Sequence, residues 1–262
     1  KSMLSQQLTS LQIFNGLFGY IMDHMIKYKD DLIKTFVNTL RHKSLDIQLA
    51  SLQAVSNLLS TAERKDVKQF TELMPDMTKV IINAFNEQDE VVLEDALVEF
   101  NELAEIEPIF FKPYFADVYT ALKPIIAYAD FANPNLRQQP LEFVITLVER
   151  KPSFVQKNTE LLKDILEQVF KLMIEIDADI DQEWMRPKEG FTQDGDEEED
   201  HVSFGKNCVD RLVSCIGDGI MLPLIGTLVM NTISNDSDWR YKNAGIMAFS
   251  QVGEYVDEPE KI

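Results

Sequence analysis

Only two cysteines, three histidines and ten each of glycine and proline occur in this chain of 262 residues. Each scarcity excludes something. Cys208 and Cys215 lie seven apart, too far for a redox or zinc CxxC pair, and no third cysteine completes a site. They read as two buried, small hydrophobes with free thiols, which fits a reducing compartment. So few glycines and prolines favour long helices over a strand-and-turn fold. His24, His42 and His201 are scattered, without a Cys, Ser or carboxylate partner at a motif spacing. GxSxG, HExxH and a phosphate-binding glycine loop are all missing, so catalysis, a cofactor and a metal are not expected. The longest apolar stretch, Gly219 to Met230, is interrupted by Pro223 and is too short to span a bilayer. The sequon Asn235-Asp236-Ser237 follows no secretory leader and reads as coincidental. Basic residues are also scarce: 25 against 44 acidic ones, a formal net charge of −19. Such a chain repels phosphates and should not bind nucleic acid directly.

What the chain does contain is apolar spacing of helical period, with 45% hydrophobic residues. Leu49, Leu52, Val55, Leu58 and Leu59 form one stripe; Phe70, Leu73, Met77, Val80, Ile81 and Ala84 form the next. Breakers between stripes are short, such as Glu87-Gln88-Asp89, Asn133-Pro134-Asn135 and Lys151-Pro152-Ser153. Several place an Asp, Asn or Ser where it caps the following helix. Helices are predicted in pairs. First helices fall at 4–25, 46–62, 89–106, 134–150, 201–216 and 238–255. Second helices fall at 29–42, 66–86, 110–129, 153–176 and 219–233. Comparable core positions in the first helices are Ala50, Ala96, Pro140, Cys208 and Ala244, spaced by 46, 44, 68 and 36 residues. That period, with two helices per unit, predicts an all-α fold: a HEAT-repeat α-solenoid of antiparallel helix pairs. The repeats are expected at 4–43, 46–87, 89–130, 133–177, 201–234 and, partial, 238–262. Pro140 is expected to kink its helix. The start at Lys1 and the stop at Ile262, just past a helical pattern, suit an internal fragment of a longer array.

The spacing of 68 marks one insertion, at 178–200, and it is acidic. Twelve acids lie between Glu175 and Asp200, opposed there only by Arg186 and Lys188. Asp177, Asp179, Asp181, Glu183, Asp194, Asp196, Glu197, Glu198, Glu199 and Asp200 are candidates to hold a basic partner, and Trp184 offers an apolar anchor. A solvated spacer is the plainer reading of such a run. Calcium is excluded by spacing. An EF-hand loop from Asp177 requires Gly and Glu where Gln182 and Lys188 stand, and one from Asp194 requires Gly at Glu199. In the helix before the insert, Glu160, Asp164 and Glu167 share one face, with Glu175 beyond. That stripe suits a solvated outer face and a continuation of the insert's charge equally well.

A more specific signal lies near the end. The stretch Asp238-Trp239-Arg240-Tyr241-Lys242-Asn243-Ala244-Gly245-Ile246-Met247-Ala248-Phe249-Ser250-Gln251-Val252-Gly253-Glu254 resembles D-W-K-Y-R-H-A-G-L-M-A-L-S-A-I-G-E. That is the repeat after the acidic loop in importin-beta-type receptors of the importin-5 (karyopherin beta-3) group. Cys208-Val209-Asp210-Arg211-Leu212 resembles that group's A-L-D-R-M, and Pro140 to Leu147 resembles L-A-L-E-V-I-V-T-L. The segment Asp177 to Trp184 is similar to the start of its acidic loop, diluted here by Ala178, Ile180 and Gln182. The resemblance covers about residues 45–256. It implies a nuclear import receptor that shuttles between cytoplasm and nucleus. Such a receptor binds basic, Lys-rich cargo signals, contacts Phe-Gly nucleoporins and releases cargo to Ran-GTP. The main Ran-binding repeats would precede Lys1. Asp210 and Glu254, in family-like motifs, join the insert acids as candidate cargo contacts. A HEAT scaffold without Ran control, or a chaperone for basic proteins, remains open at this point.

Overall fold

A computed structural model describes residues 2–175, 201–234, 238–253 and 255. Among these residues every regular element is helical. The chain divides into two compact units, Lys1–Phe154 and Val155–Ile262.

In the first unit, α1 (Ser2–Met25), α3 (Leu45–Thr61), α6 (Glu90–Ile106) and α8 (Gln139–Arg150) form one layer, each packed on the next. The partner helices α2 (Lys29–Leu40), α5 (Met74–Asn86) and α7 (Phe115–Ala127) form a second layer, with the single turn α4 (Arg64–Val67) before α5. Helix α3 shows why stacking is required. Lying between α1 and α6 and against the second layer, it buries even Gln48, Ser51 and Ser56. Buried polar groups must be partnered. Gln48 donates to the His42 carbonyl and accepts from Asn83, and Ser51 pairs with Thr39. Helix α1 has one neighbour in its layer, and it leaves Met3, Ile13, Leu17 and Tyr20 exposed.

Phe100 of α6, Phe143 of α8 and Phe111 of the turn before α7 form a closed triangle of rings, with centroids 5.0–5.5 Å apart. All three are fully buried. Tilted and T-shaped pairs at this distance add attraction beyond their burial.

The polar side chains repeat the same connection. Lys29 reaches Gln69, Arg41 reaches Asp76, Asn57 reaches Asn15, Gln88 reaches Tyr128 and Asn101 reaches Gln139. These pairs span 35 to 42 residues. Each bond therefore links an element to its equivalent one repeat along. The Arg41 guanidinium grips buried Asp76 through two bonds, of 2.7 and 2.9 Å, and this pairing raises the Arg41 pKa.

The helix starts differ from expectation. The second helix predicted at 66–86 is broken: a 3-10 segment, Lys68–Leu73, precedes α5, where Pro75 stands in the first turn. Those predicted at 110–129 and 153–176 begin late, after 3-10 turns Pro108–Tyr114 and Pro152–Phe154. Pro140 does not kink a helix. A 3-10 turn, Pro134–Arg137, takes the place of the predicted first turn, and Pro140 is the second residue of α8. At that position its missing N–H has no helical acceptor to lose. Asp89 and Asn133 cap as expected; Asn158, inside the helix expected from 153, caps the one that begins at Thr159, and Ser44 makes no side-chain cap. Gln88 adopts a left-handed φ of 57° after α5, and Asp89 donates back to the Ala84 carbonyl. This is the Schellman arrangement usually given to glycine.

The second unit contains α9 (Thr159–Ile174), α10 (His201–Ile216), α11 (Asp218–Ile233) and α12 (Trp239–Gly253). Helix α10 packs on α9 and α12, and α11 packs on α12. Gly205 of α10 sets the approach to α9: a Cβ there would stand 2.3 Å from Cγ of Met173. Gly217, at φ +96°, makes the turn into α11. Asp238 receives the Arg240 backbone N–H and its guanidinium, so this family-like pair clamps the start of α12. Cys208 is buried as expected, while Cys215 is half-buried.

Phe111→Ala is expected to lower the stability of the first unit by about 3–5 kcal/mol, through lost burial and the cavity left behind. Urea denaturation checks this, with the exposed position Ile246→Ala as a control that barely shifts.

Candidate binding surfaces

Of the acids singled out in the sequence, the described residues hold five. Glu160 is exposed in the first turn of α9; Asp164 and Glu167 follow on the same face, both half-buried. Glu175 is exposed just beyond the helix. The same face also carries exposed Lys171 one turn past Glu167, with half-buried Lys163 beside it. The stripe is therefore mixed in charge. Asp210, half-buried on α10, accepts a 2.8 Å bond from the Tyr255 hydroxyl. Asp177, Asp179, Asp181, Glu183, Trp184, Asp194, Asp196, Glu197, Glu198, Glu199, Asp200 and Glu254 lie outside the described residues.

The clearest acidic surface belongs to α6, which the sequence reading passed over. Between Lys79 and Lys112 no basic residue occurs, and α6 carries Glu90, Glu94, Asp95, Glu99, Glu102 and Glu105. Some of these have structural work. Glu90 accepts the backbone N–H groups of Ala132 and Asn133, and Glu105 stands 3.9 Å from Arg150. Glu94, Asp95 and Glu102 are exposed and have no cation beside them among the described residues. Val91 and Val98 are exposed on the same helix, 71% and 40% accessible. The outcome is a face of carboxylates interleaved with apolar side chains at one-turn spacing.

Glu99 links this face to the interior. Burial pushes its pKa up, the Ser56 hydroxyl bond pulls it down, and the neighbouring charges of Glu102 and Asp95 push it up further. The net direction is upward from the ordinary 4.5. Glu99 resists ionisation first because it is buried, and the two neighbouring carboxylates add to that resistance.

Among the described residues no group of His, Cys, Asp and Glu could hold a metal ion. Among them also, no helix is long and apolar enough to cross a membrane.

A two-layer helical array, linked at one-repeat spacing and carrying open charged faces, is the architecture of a repeat scaffold. Residues 3–121 match the family profile described as "IPO5-like, TPR repeats", and residues 130–223 match that of the "Importin repeat". Importin subunit beta-3 of Saccharomyces cerevisiae is 19% identical over 227 residues, covering 86% of this chain and 20% of that protein. The solved structure of Kap121p bound to Pho4p superposes with a TM-score of 0.79 at 18% identity, over 97% of this chain and 25% of that one. Kap121p bound to RanGTP gives 0.75 at 18% identity, over 95% and 25%. The chain thus spans a fifth to a quarter of the length of these relatives. The chain belongs to the importin-beta (karyopherin-beta) family, as its Asp238 to Glu254 motif indicated. Its fold is the all-α HEAT-repeat solenoid of the karyopherins. The 44- and 46-residue spacings of Ala50, Ala96 and Pro140 favour HEAT units over the shorter TPR period.

The half-buried Glu99 carboxyl gives the fold a pH dependence that can be tested. Its folded pKa is raised, so between 4.5 and the raised value the folded state keeps a proton that the unfolded state has lost. Stability therefore falls as pH rises through that window. Glu99→Gln, which keeps an acceptor for Ser56, is expected to stabilise the neutral-pH fold and to remove that fall. Urea midpoints of both proteins from acidic to neutral pH check this. A difference that is constant with pH contradicts it.

Proposed function

We propose that this chain is part of a nuclear import receptor that holds Lys-rich localisation signals of basic cargo proteins. Cargo release under Ran-GTP, contacts with Phe-Gly nucleoporins and shuttling between cytoplasm and nucleus belong to the same proposal. The fold is shared with Kap121p, which has been solved bound to Pho4p and to RanGTP. The observation that carries the basic-partner reading is the surplus of carboxylates without cations, in a chain of net charge −19. Lysine suits such a surface. Its ammonium meets Glu94, Asp95 or Glu102, while its aliphatic stem packs on Val91 and Val98. The insert acids from Asp177 to Asp200, with Asp210 and Glu254, are proposed as further contacts, and Trp184 as their apolar anchor. Tyr255 already holds one oxygen of Asp210, which orients that carboxylate for a second donor.

A fluorescent Lys-rich signal peptide tests this across a salt series. Exposed charge pairs are screened beyond about 8 Å at physiological salt, so binding should weaken as salt rises. Deletion of residues 178–200, and separately the triple variant Glu94→Lys/Asp95→Lys/Glu102→Lys, are each expected to weaken binding by about tenfold or more. No binding by the unaltered chain overturns the cargo reading for this segment.

A further inference from the structure

The same molecule contains a surface of the opposite sign. A groove of about 550 Å³ lies between α4, with the 3-10 segment after it, and the turn Pro108–Tyr114 of the next repeat. It exists because the first helix of each pair ends before the second begins, leaving a 3-10 corner, and consecutive corners stack. Its floor is apolar, made by Val67, Ile109, Phe110 and Pro113. Val67 and Phe110 are buried in the fold, whereas Ile109, 38% accessible, and Pro113 are exposed at its edge.

Its rim is basic. Arg64, Lys65, Lys68 and Lys112 line it against a single carboxylate, Glu107, in a chain that has only 25 basic residues against 44 acidic. Two of the four are already engaged: Lys65 bonds Glu63 at 2.6 Å and Arg64 stands 3.8 Å from Glu107. Lys68 and Lys112 are exposed and have no carboxylate beside them among the described residues. An apolar slot flanked by two uncommitted ammonium groups is complementary to a negative chain with one bulky apolar side chain. The surface that would hold Lys-rich signals would reject such a chain.

We propose that this groove docks an acidic segment of a partner protein, with one aromatic or large aliphatic side chain on the Val67–Ile109–Phe110–Pro113 floor. Asp or Glu residues flanking that anchor pair with Lys68 and Lys112. The occupant is a peptide and not a phosphate ligand, because the cations stand on the exposed rim above an apolar floor. A phosphate site would need donors converging on its base. The site is separate from the acids proposed to hold cargo, so one receptor segment can take partners of both signs.

The test uses the whole chain and fluorescence anisotropy with a labelled peptide in which Asp and Glu surround a single Phe. Binding is expected, weakening with salt. The surface variant Lys68→Glu/Lys112→Glu should weaken it by about tenfold or more, and replacement of the peptide's Phe by Ser should do the same. The double variant should bind a Lys-rich peptide no worse than the unaltered chain, which separates this proposal from the cargo reading. Circular dichroism of the double variant should be unchanged. Any of three results overturns the proposal. One is no binding of the acidic peptide by the unaltered chain. Another is equal binding by the double variant. The third is equal binding of a neutral Phe-Gly peptide or of the Ser peptide.

Discussion

No helix pair in the first unit can bury its apolar face alone; each relies on the pair one repeat along. That constraint organises the unit. Helix α3 is so enclosed by its neighbours that Gln48, Ser51 and Ser56 are buried with it. The Phe100–Phe111–Phe143 triangle joins α6 to α8 through the corner between them. Arg41 with Asp76, Asn57 with Asn15 and Asn101 with Gln139 make the polar version of the same step. Cohesion is local in sequence, a nearest-neighbour property of repeat proteins.

The function proposed here follows from what such packing leaves outside. A stack buried only between neighbours keeps a large fraction of its side chains at the surface, so surface charge becomes the means of recognition. The carboxylate surplus is not neutralised internally: Glu94, Asp95 and Glu102 face solvent, and Glu99 ionises reluctantly beside them. Corners between stacked repeats collect the opposite charge around Ile109 and Phe110. Faces of both signs on one scaffold favour specificity by repulsion as well as attraction, since each site excludes the other's ligand. They also make association dependent on salt.

Much of the fold was legible because helical period and short capped breaks are local signals. The first helices at 46–62, 89–106 and 201–216 stand within a residue or two of α3, α6 and α10. The core positions Ala50, Ala96, Pro140, Cys208 and Ala244 are all buried. What escaped were the 3-10 corners, because the i to i+3 turns at Lys68–Leu73, Pro108–Tyr114 and Pro152–Phe154 keep an apolar spacing close to that of an α-helix. Pro140 misled for a related reason: a proline inside a periodic stretch reads as a kink until the preceding turn is seen to be 3-10. The family was legible in the motif beginning at Asp238, where Asp238 and Arg240 prove to clamp a helix start. The acidic face of α6 was available in principle, since no Lys or Arg occurs between Lys79 and Lys112. It was overshadowed by the denser insert. The basic groove was not legible at all, because Lys68 and Lys112 are 44 residues apart and meet only through stacking.

The central claim is that carboxylates left without cations are the groups that meet a basic partner. Carbodiimide labelling of carboxylates, read residue by residue by mass spectrometry with and without a saturating Lys-rich peptide, addresses it directly. The account predicts that labelling falls at Glu94, Asp95 and Glu102 and across Asp177 to Asp200, while Asp76, already held by Arg41, is unchanged. Labelling that stays the same at all of these acids while the peptide is bound would contradict it.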